Sequence, residues 1–208
     1  MSTSPLPPDA TGGPLDTATE DYGDGWSWSR APARWSRAGG SLTVVAPGRS
    51  DLYAMPGHYD IDRLPLLQRP VDGDFTAWSR ITVDGSAFGD AGGIALHGDD
   101  GWLKVCVERP RTGGWAVVTV LSRPESDEAM GPALDQPAAD VMVTREGRRV
   151  AVLFRQHRHE DWRFVRTYLA RTTRQVRLGI FVQAPFSDAA SAQFEPMRLR
   201  STAWRDHR

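Results

Sequence analysis

The chain has 208 residues, 40% hydrophobic, 25% charged and 9% aromatic, which fits one globular unit and excludes a fibrous or wholly disordered chain. A formal net charge of -1 removes the broad positive field on which nonspecific nucleic-acid binding rests. Of the 25 basic residues only Lys104 is lysine, asparagine is absent and Cys106 is the single cysteine. There is therefore no Asn-linked glycosylation sequon and no internal disulfide.

Residues 1–24 are rich in Pro, Gly, Ser, Thr and Asp, too poor in large apolar groups to offset the entropy of ordering, and are predicted to form a disordered tail. They carry no basic residue and no apolar stretch, so no secretory signal is expected and a cytoplasmic location is. No run approaches the ~18 apolar residues of a membrane span. Residues 25–205 are read as a single domain. Short apolar runs there are broken at intervals by Gly, Pro, Asp or Ser, and helical periodicity is weak. Strands are predicted over residues 41–46, 75–83, 92–97, 102–108, 115–121, 141–145, 149–156, 162–168, 176–183 and 193–200. That pattern predicts an all-β jelly-roll sandwich of two antiparallel sheets.

The stretch from Asp90 to Glu108 fixes its own register. A Gly98-Asp99-Asp100-Gly101 loop sets His97 opposite Trp102, Leu96 opposite Leu103, Ala95 opposite Lys104 and Ile94 opposite Val105. Ile94, Leu96, Leu103, Val105 and Val107 then share the buried face, while His97, Trp102, Lys104, Cys106 and Glu108 share the other. A loop over residues 109–114 is expected to bring Trp115 opposite Glu108, Val117 opposite Cys106 and Thr119 opposite Lys104, with Val118 and Val120 in the core. The outer face would thus carry His97, Trp102, Lys104, Cys106, Glu108, Trp115 and Thr119. Aromatic rings beside a few polar groups suit a glycan or small polar ligand. The alternative is that a loop covers the face and Trp102 and Trp115 form a second small core.

These residues also carry a family resemblance. Gly89-Asp90-Ala-Gly-Gly93-Ile, Gly101-Trp102-Leu-Lys104-Val-Cys-Val-Glu108 and Val117-Val-Thr119, with Ser50-Asp51-Leu-Tyr53, Gly73-Asp74-Phe75 and Leu178-Gly-Ile-Phe-Val-Gln-Ala-Pro185, resemble the bacterial and fungal regulation of enolase protein 1 family. That resemblance implies a concanavalin A-like jelly roll over about residues 26–203 and names no settled reaction. The chain departs from the family pattern at Leu52 and Tyr53, Ala91 and Cys106, and it lacks a Trp after the Val-Val-Thr strand.

Other chemistry is weighed against this reading. Glycoside hydrolysis needs two carboxylates across a scissile bond. Glu125 and Asp127 share a face but Glu128 does not, and Pro124 marks the segment as loop. Lys104, Glu108 and His97 are acid and base candidates for a lyase, isomerase or cyclase, and Cys106 a candidate nucleophile. His157, His159, Glu160 and Asp161 fall in a polar hairpin loop, so no metal or cofactor is expected. The arginines between Arg145 and Arg174 are balanced by acids, which argues against a nucleic-acid partner. The sequence leaves the oligomeric state open. The favoured reading is a carbohydrate- or small-molecule-binding module, with the enzyme in the same concavity and an interaction module regulating a metabolic enzyme as alternatives.

Overall fold

The computed structural model describes residues 25–171 and 175–204; the predicted tail over residues 1–24 lies outside them. In chain order the strands are β1 (Ser27–Arg30), β2 (Arg34–Ala38), β3 (Ser41–Pro47), β4 (Leu52–Met55), β5 (Tyr59–Asp62), β6 (Leu66–Val71), β7 (Phe75–Asp84), β8 (Ala91–Gly98) and β9 (Gly101–Glu108). They continue as β10 (Trp115–Ser122), β11 (Ser126–Leu134), β12 (Ala138–Glu146), β13 (Arg149–Arg155), β14 (Arg163–Leu169), β15 (Val176–Gln183), β16 (Ala189–Phe194) and β17 (Arg198–Arg200). One sheet runs β1-β6-β15-β8-β9-β10-β11 and the other β14-β13-β12-β7-β16-β3-β2, with β17 beside β7. All pairings are antiparallel, and β4 and β5 form a separate hairpin. The predicted all-β jelly-roll sandwich of two antiparallel sheets is what the chain forms, with no helix among the described residues.

Alternation along the strands builds the main core. Ile94, Leu96, Leu103, Val105, Val107, Leu178 and Ile180 of the first sheet meet Phe75, Ile81, Val141, Val143, Val152 and Phe154 of the second. Each residue's two neighbours along the strand point the other way. The β8–β9 register is the expected one: His97 faces Trp102, Ala95 faces Lys104 and Ile94 faces Val105.

The next register differs by one residue. Ala116, not Trp115, lies opposite Glu108, and Val118 faces Cys106 while Val120 faces Lys104. A one-residue slip exchanges the faces of the whole strand. Val118 and Val120 therefore point outward, while Trp115 and Thr119 turn toward the second sheet, where Trp115 packs on the main core and Thr119 accepts a hydrogen bond from Arg166 (3.3 Å). The physical reason is that both faces of β10 are buried. The β4–β5 hairpin covers the outer face, and Leu52, Tyr53 and Trp102 close a second apolar cluster with Leu64, Leu66, Ala95, Cys106, Val118, Val120 and Phe181. With apolar surroundings on both sides, alternation does not select a register for residues 116–120.

The segment read as loop around Pro124 includes the start of β11, which pairs with β10 so that Glu128 faces Val120 and Asp127 faces Leu121. Glu128 thus shares the outer face with Lys104, whereas Asp127 lies on the other face of the strand, where its exposed carboxylate pairs with Arg166 at 2.8 Å. The stretch read as one strand over residues 193–200 is two pieces, the end of β16 and β17, on either side of Pro196.

Candidate functional site

Lys104 is 1% exposed and Asp51, which precedes β4, is 4% exposed. The ammonium of Lys104 donates to Asp51 Oδ1 at 2.6 Å and to Gln183 Oε1 at 2.9 Å. Gln183 ends β15 and donates its own Nε2 to the Gly89 carbonyl at 2.9 Å, which fixes its oxygen toward the lysine. Asp51 also accepts the Leu52 N–H at 2.7 Å and the Tyr59 hydroxyl at 3.3 Å. A buried charge requires this degree of satisfaction. The rings of Trp102 and Phe181 flank the ammonium, their centroids 5.6 and 5.7 Å from Nζ, within cation–π range. An ammonium has three N–H donors; two are spent on the protein, and the side chain lines a cavity.

That cavity, of about 260 Å³, lies between the outer face of the first sheet, the β4–β5 hairpin and two loops, and opens to solvent. Lys104, Glu108, Val120 and Gln183 line it from the sheet, Tyr53, Met55 and Tyr59 from the hairpin. The aromatic wall is continuous. Tyr53 and Tyr59 have centroids 5.7 Å apart, Tyr59 and Phe186 5.8 Å, and Phe88 and Phe186 stack at 5.4 Å. The Arg111 guanidinium lies over Phe88 at 4.2 Å. Asp90, fully buried, holds the two loops that carry Phe88 and Phe186. Its Oδ2 accepts the Ser86 and Ala87 N–H groups at 2.9 Å each, and its Oδ1 accepts the Ser187 hydroxyl at 2.7 Å. Gly89, with φ +81°, closes the turn where a Cβ would meet the Pro185 ring at 2.6 Å.

Glu108 is 5% exposed, and among the described residues its hydrogen-bond partner is the Cys106 thiol, which donates to Oε2 at 3.5 Å. Burial pushes its carboxyl from 4.5 up to about 8, against the opposing pull of Lys104, with Glu128 and Asp51 adding to the rise. The folded chain therefore holds the Glu108 proton more tightly than the unfolded chain does. The associated stability is fully present below about pH 4.5 and is lost as the pH rises toward about 8. Glu108→Gln removes this titration, so denaturation midpoints measured from pH 5 to pH 8 are expected to fall by an equivalent of a few kcal/mol less than in the parent chain. An identical decline in both would refute the assignment to Glu108.

The remaining expected site residues divide. Trp102 stands behind Lys104 in the second apolar cluster, not in the cavity wall. His97 is exposed at the far end of the β8–β9 hairpin, away from the cavity. Cys106 is fully buried beneath Glu108, and burial pushes its thiol well above the ordinary value, which makes it a packing residue and not a nucleophile. Lys104 and Glu108 do line the cavity; Trp115 and Thr119 lie on the opposite face of their sheet. In the 157–161 loop Glu160 accepts the backbone N–H groups of Gln156 and His157, closing the turn. Among the described residues no group of three or more His, Cys, Asp or Glu is arranged to hold a metal.

Sequence reasoning missed Asp51, Tyr59, Phe88, Arg111, Glu128, Gln183 and Phe186 as cavity residues. The available signal was the lysine itself: buried on a sheet face, it requires an acidic partner from another segment.

Fold and cavity together define an all-β sandwich protein with an aromatic-walled polar pocket on the outer face of one sheet. The chain belongs to the family described as a protein of unknown function, DUF1349, whose model matches residues 28–202. No curated protein sequence matches it. Among solved structures it is similar to a functionally unknown protein from Saccharomyces cerevisiae, with TM-score 0.78 and 20% identity over 86% of this chain and 97% of that one. It is also similar to the GH43 protein BlXynB from Bacillus licheniformis, with TM-score 0.66, 18% identity and 89% of this chain covered; the match spans 38% of BlXynB. The alginate lyase from Klebsiella pneumoniae matches with TM-score 0.57 and 12% identity over 82% of this chain and 85% of that one. At these identities the likeness shows the fold.

Proposed function

We propose that the protein binds a carbohydrate or a similar small polyhydroxylated molecule in the cavity beneath the β4–β5 hairpin. The observation that carries this reading is the Lys104 side chain, which lines the cavity and, among the described residues, makes two hydrogen bonds with an ammonium that has three donors. Around it stand the features a sugar ring uses: flat apolar surfaces on Tyr53, Tyr59 and Phe186, and hydrogen-bonding carboxyl groups on Glu108 and Glu128. The volume of about 260 Å³ suits a single ring, since drug-sized ligands take roughly 300–1,000 Å³. Two of the structural matches, the GH43 protein and the alginate lyase, bear the names of carbohydrate-active enzymes.

The test is thermal unfolding and calorimetry with D-glucose, D-galactose, D-xylose, L-arabinose and D-glucuronate. A ligand present at a hundred times its dissociation constant is expected to raise the melting temperature by roughly 5–10 °C. Phe186→Ala, at an exposed ring of the wall, is expected to weaken that ligand about tenfold or more while leaving unliganded stability nearly unchanged. Absence of any shift or heat with all five sugars would remove the carbohydrate reading.

A further inference from the structure

Resting on the sugar-pocket reading, we infer that the cavity interconverts the two anomers of a free monosaccharide, with Glu108 as proton donor to the ring oxygen and Glu128 as proton acceptor from the anomeric hydroxyl. The two carboxyl groups reach one cavity from different strands. Glu108 ends β9, and Glu128 on β11 stands level with Lys104, one strand beyond Val120. By strand rise and spacing their Cα atoms are about 13 Å apart along the sheet and about 10 Å across it; both side chains line the same cavity, and the Glu128 charge acts on the Glu108 carboxyl. The ring oxygen and the anomeric oxygen of a sugar are bonded to the same carbon. With hydrogen-bond reach of about 3 Å on each side, an acid and a base separated by up to about 8 Å bracket them.

The two carboxyls differ in setting as an acid–base pair requires. Glu108 is buried, is hydrogen-bonded by a thiol, and is held protonated by desolvation. Glu128 is exposed at the cavity edge, where the Tyr53 hydroxyl donates to its Oε2 at 3.0 Å and leaves the other oxygen for a substrate proton. Burial and the Glu128 carboxylate push the Tyr53 phenol up, so it remains a donor. The third Lys104 N–H orients a ring hydroxyl without entering the proton transfer.

The step balances without a cofactor. The Glu108 proton passes to the ring oxygen as the bond from that oxygen to the anomeric carbon breaks. The anomeric hydroxyl gives its proton to Glu128 as the carbon–oxygen double bond of the open aldehyde forms. Rotation about the bond to the neighbouring carbon presents the other aldehyde face, and reclosure returns both protons to where they began. A pocket sized for one ring suits this reaction better than cleavage between two rings.

The test is polarimetry on freshly dissolved α-D-glucose, α-D-galactose and α-D-xylose with the full chain, supported by NMR exchange between anomers at equilibrium. Acceleration over buffer is expected for at least one sugar. It should fall about 10²-fold or more in Glu108→Gln and in Glu128→Gln; the latter site is exposed, so its fold is expected to be intact. Activity is expected to decline through about pH 8 as Glu108 loses its proton. The groups facing that carboxyl are Lys104 and Cys106 on its own strand, Asp51 before β4, Glu128 on β11 and Tyr53 on β4. No acceleration of any of the three sugars, or full activity in either Gln variant, overturns the inference. If calorimetry still shows sugar binding, the binding function stands alone; if it shows none, both fall.

Discussion

Replacing Lys104 with methionine is expected to destabilise the protein by about 3–5 kcal/mol, the cost of leaving one member of a buried ion pair without the other. Methionine matches the aliphatic stem but supplies no charge. The Asp51 carboxylate, 2.6 Å from the lost ammonium, would retain the Leu52 N–H and the Tyr59 hydroxyl and no cation. Gln183 would retain its bond to Gly89 and lose the partner of its oxygen. Because Asp51 precedes β4, the same change is expected to loosen the covering hairpin and to abolish the proposed sugar binding. The measurement is the guanidinium midpoint of Lys104→Met, of Asp51→Asn and of the double variant. Residues this close are expected to couple, so the double variant should lose clearly less than the sum of the singles. Strict additivity would show that the pair does not act as a unit.

Gly93→Ala is expected to be at least as damaging. Gly93 sits in the middle of β8 opposite Cys106. An added Cβ would stand 2.2 Å from the Val105 carbonyl oxygen, 2.7 Å from the Phe181 ring and 2.8 Å from the Cys106 Cβ. Overpacking a core costs typically about 1–3 kcal/mol when side chains give way. Here the nearest obstacle is the backbone of the adjacent strand, so a loss above about 3 kcal/mol or insoluble expression is expected. Gly113→Ala is the control. It has open space around it and a φ of +82°, so it should cost only about 1–2 kcal/mol from the left-handed backbone. Similar losses in the two variants would contradict the packing around Gly93.

The contrast between β8–β9 and β9–β10 explains how far the sequence could be read. In the first hairpin the Gly98–Gly101 turn and the alternation of Ile94, Leu96, Leu103 and Val105 against His97, Trp102 and Lys104 agree, and the register follows from either. In the second, Ala116, Val117, Val118 and Val120 are apolar on both parities, so alternation is silent and loop length alone misplaced Trp115 and Thr119 by one position. The cavity was less legible for a related reason. Its floor comes from β9, whose pattern is strong, and there Lys104 and Glu108 were found. Its walls come from the four-residue strands β4 and β5 and from loops bearing Phe88, Arg111 and Phe186, where no periodicity connects residues that meet only in the fold. From sequence Glu128 reads as loop because Pro124 lies four residues before it, although β11 begins at Ser126.

Asp90 gives the pocket a mechanical property. One carboxylate clasps the turn that carries Phe88 with one oxygen and the turn that carries Phe186 with the other. These stacked rings are therefore not two independent jaws. Both turns are anchored on one fully buried carboxylate, so loss of that single group would release both rings at once.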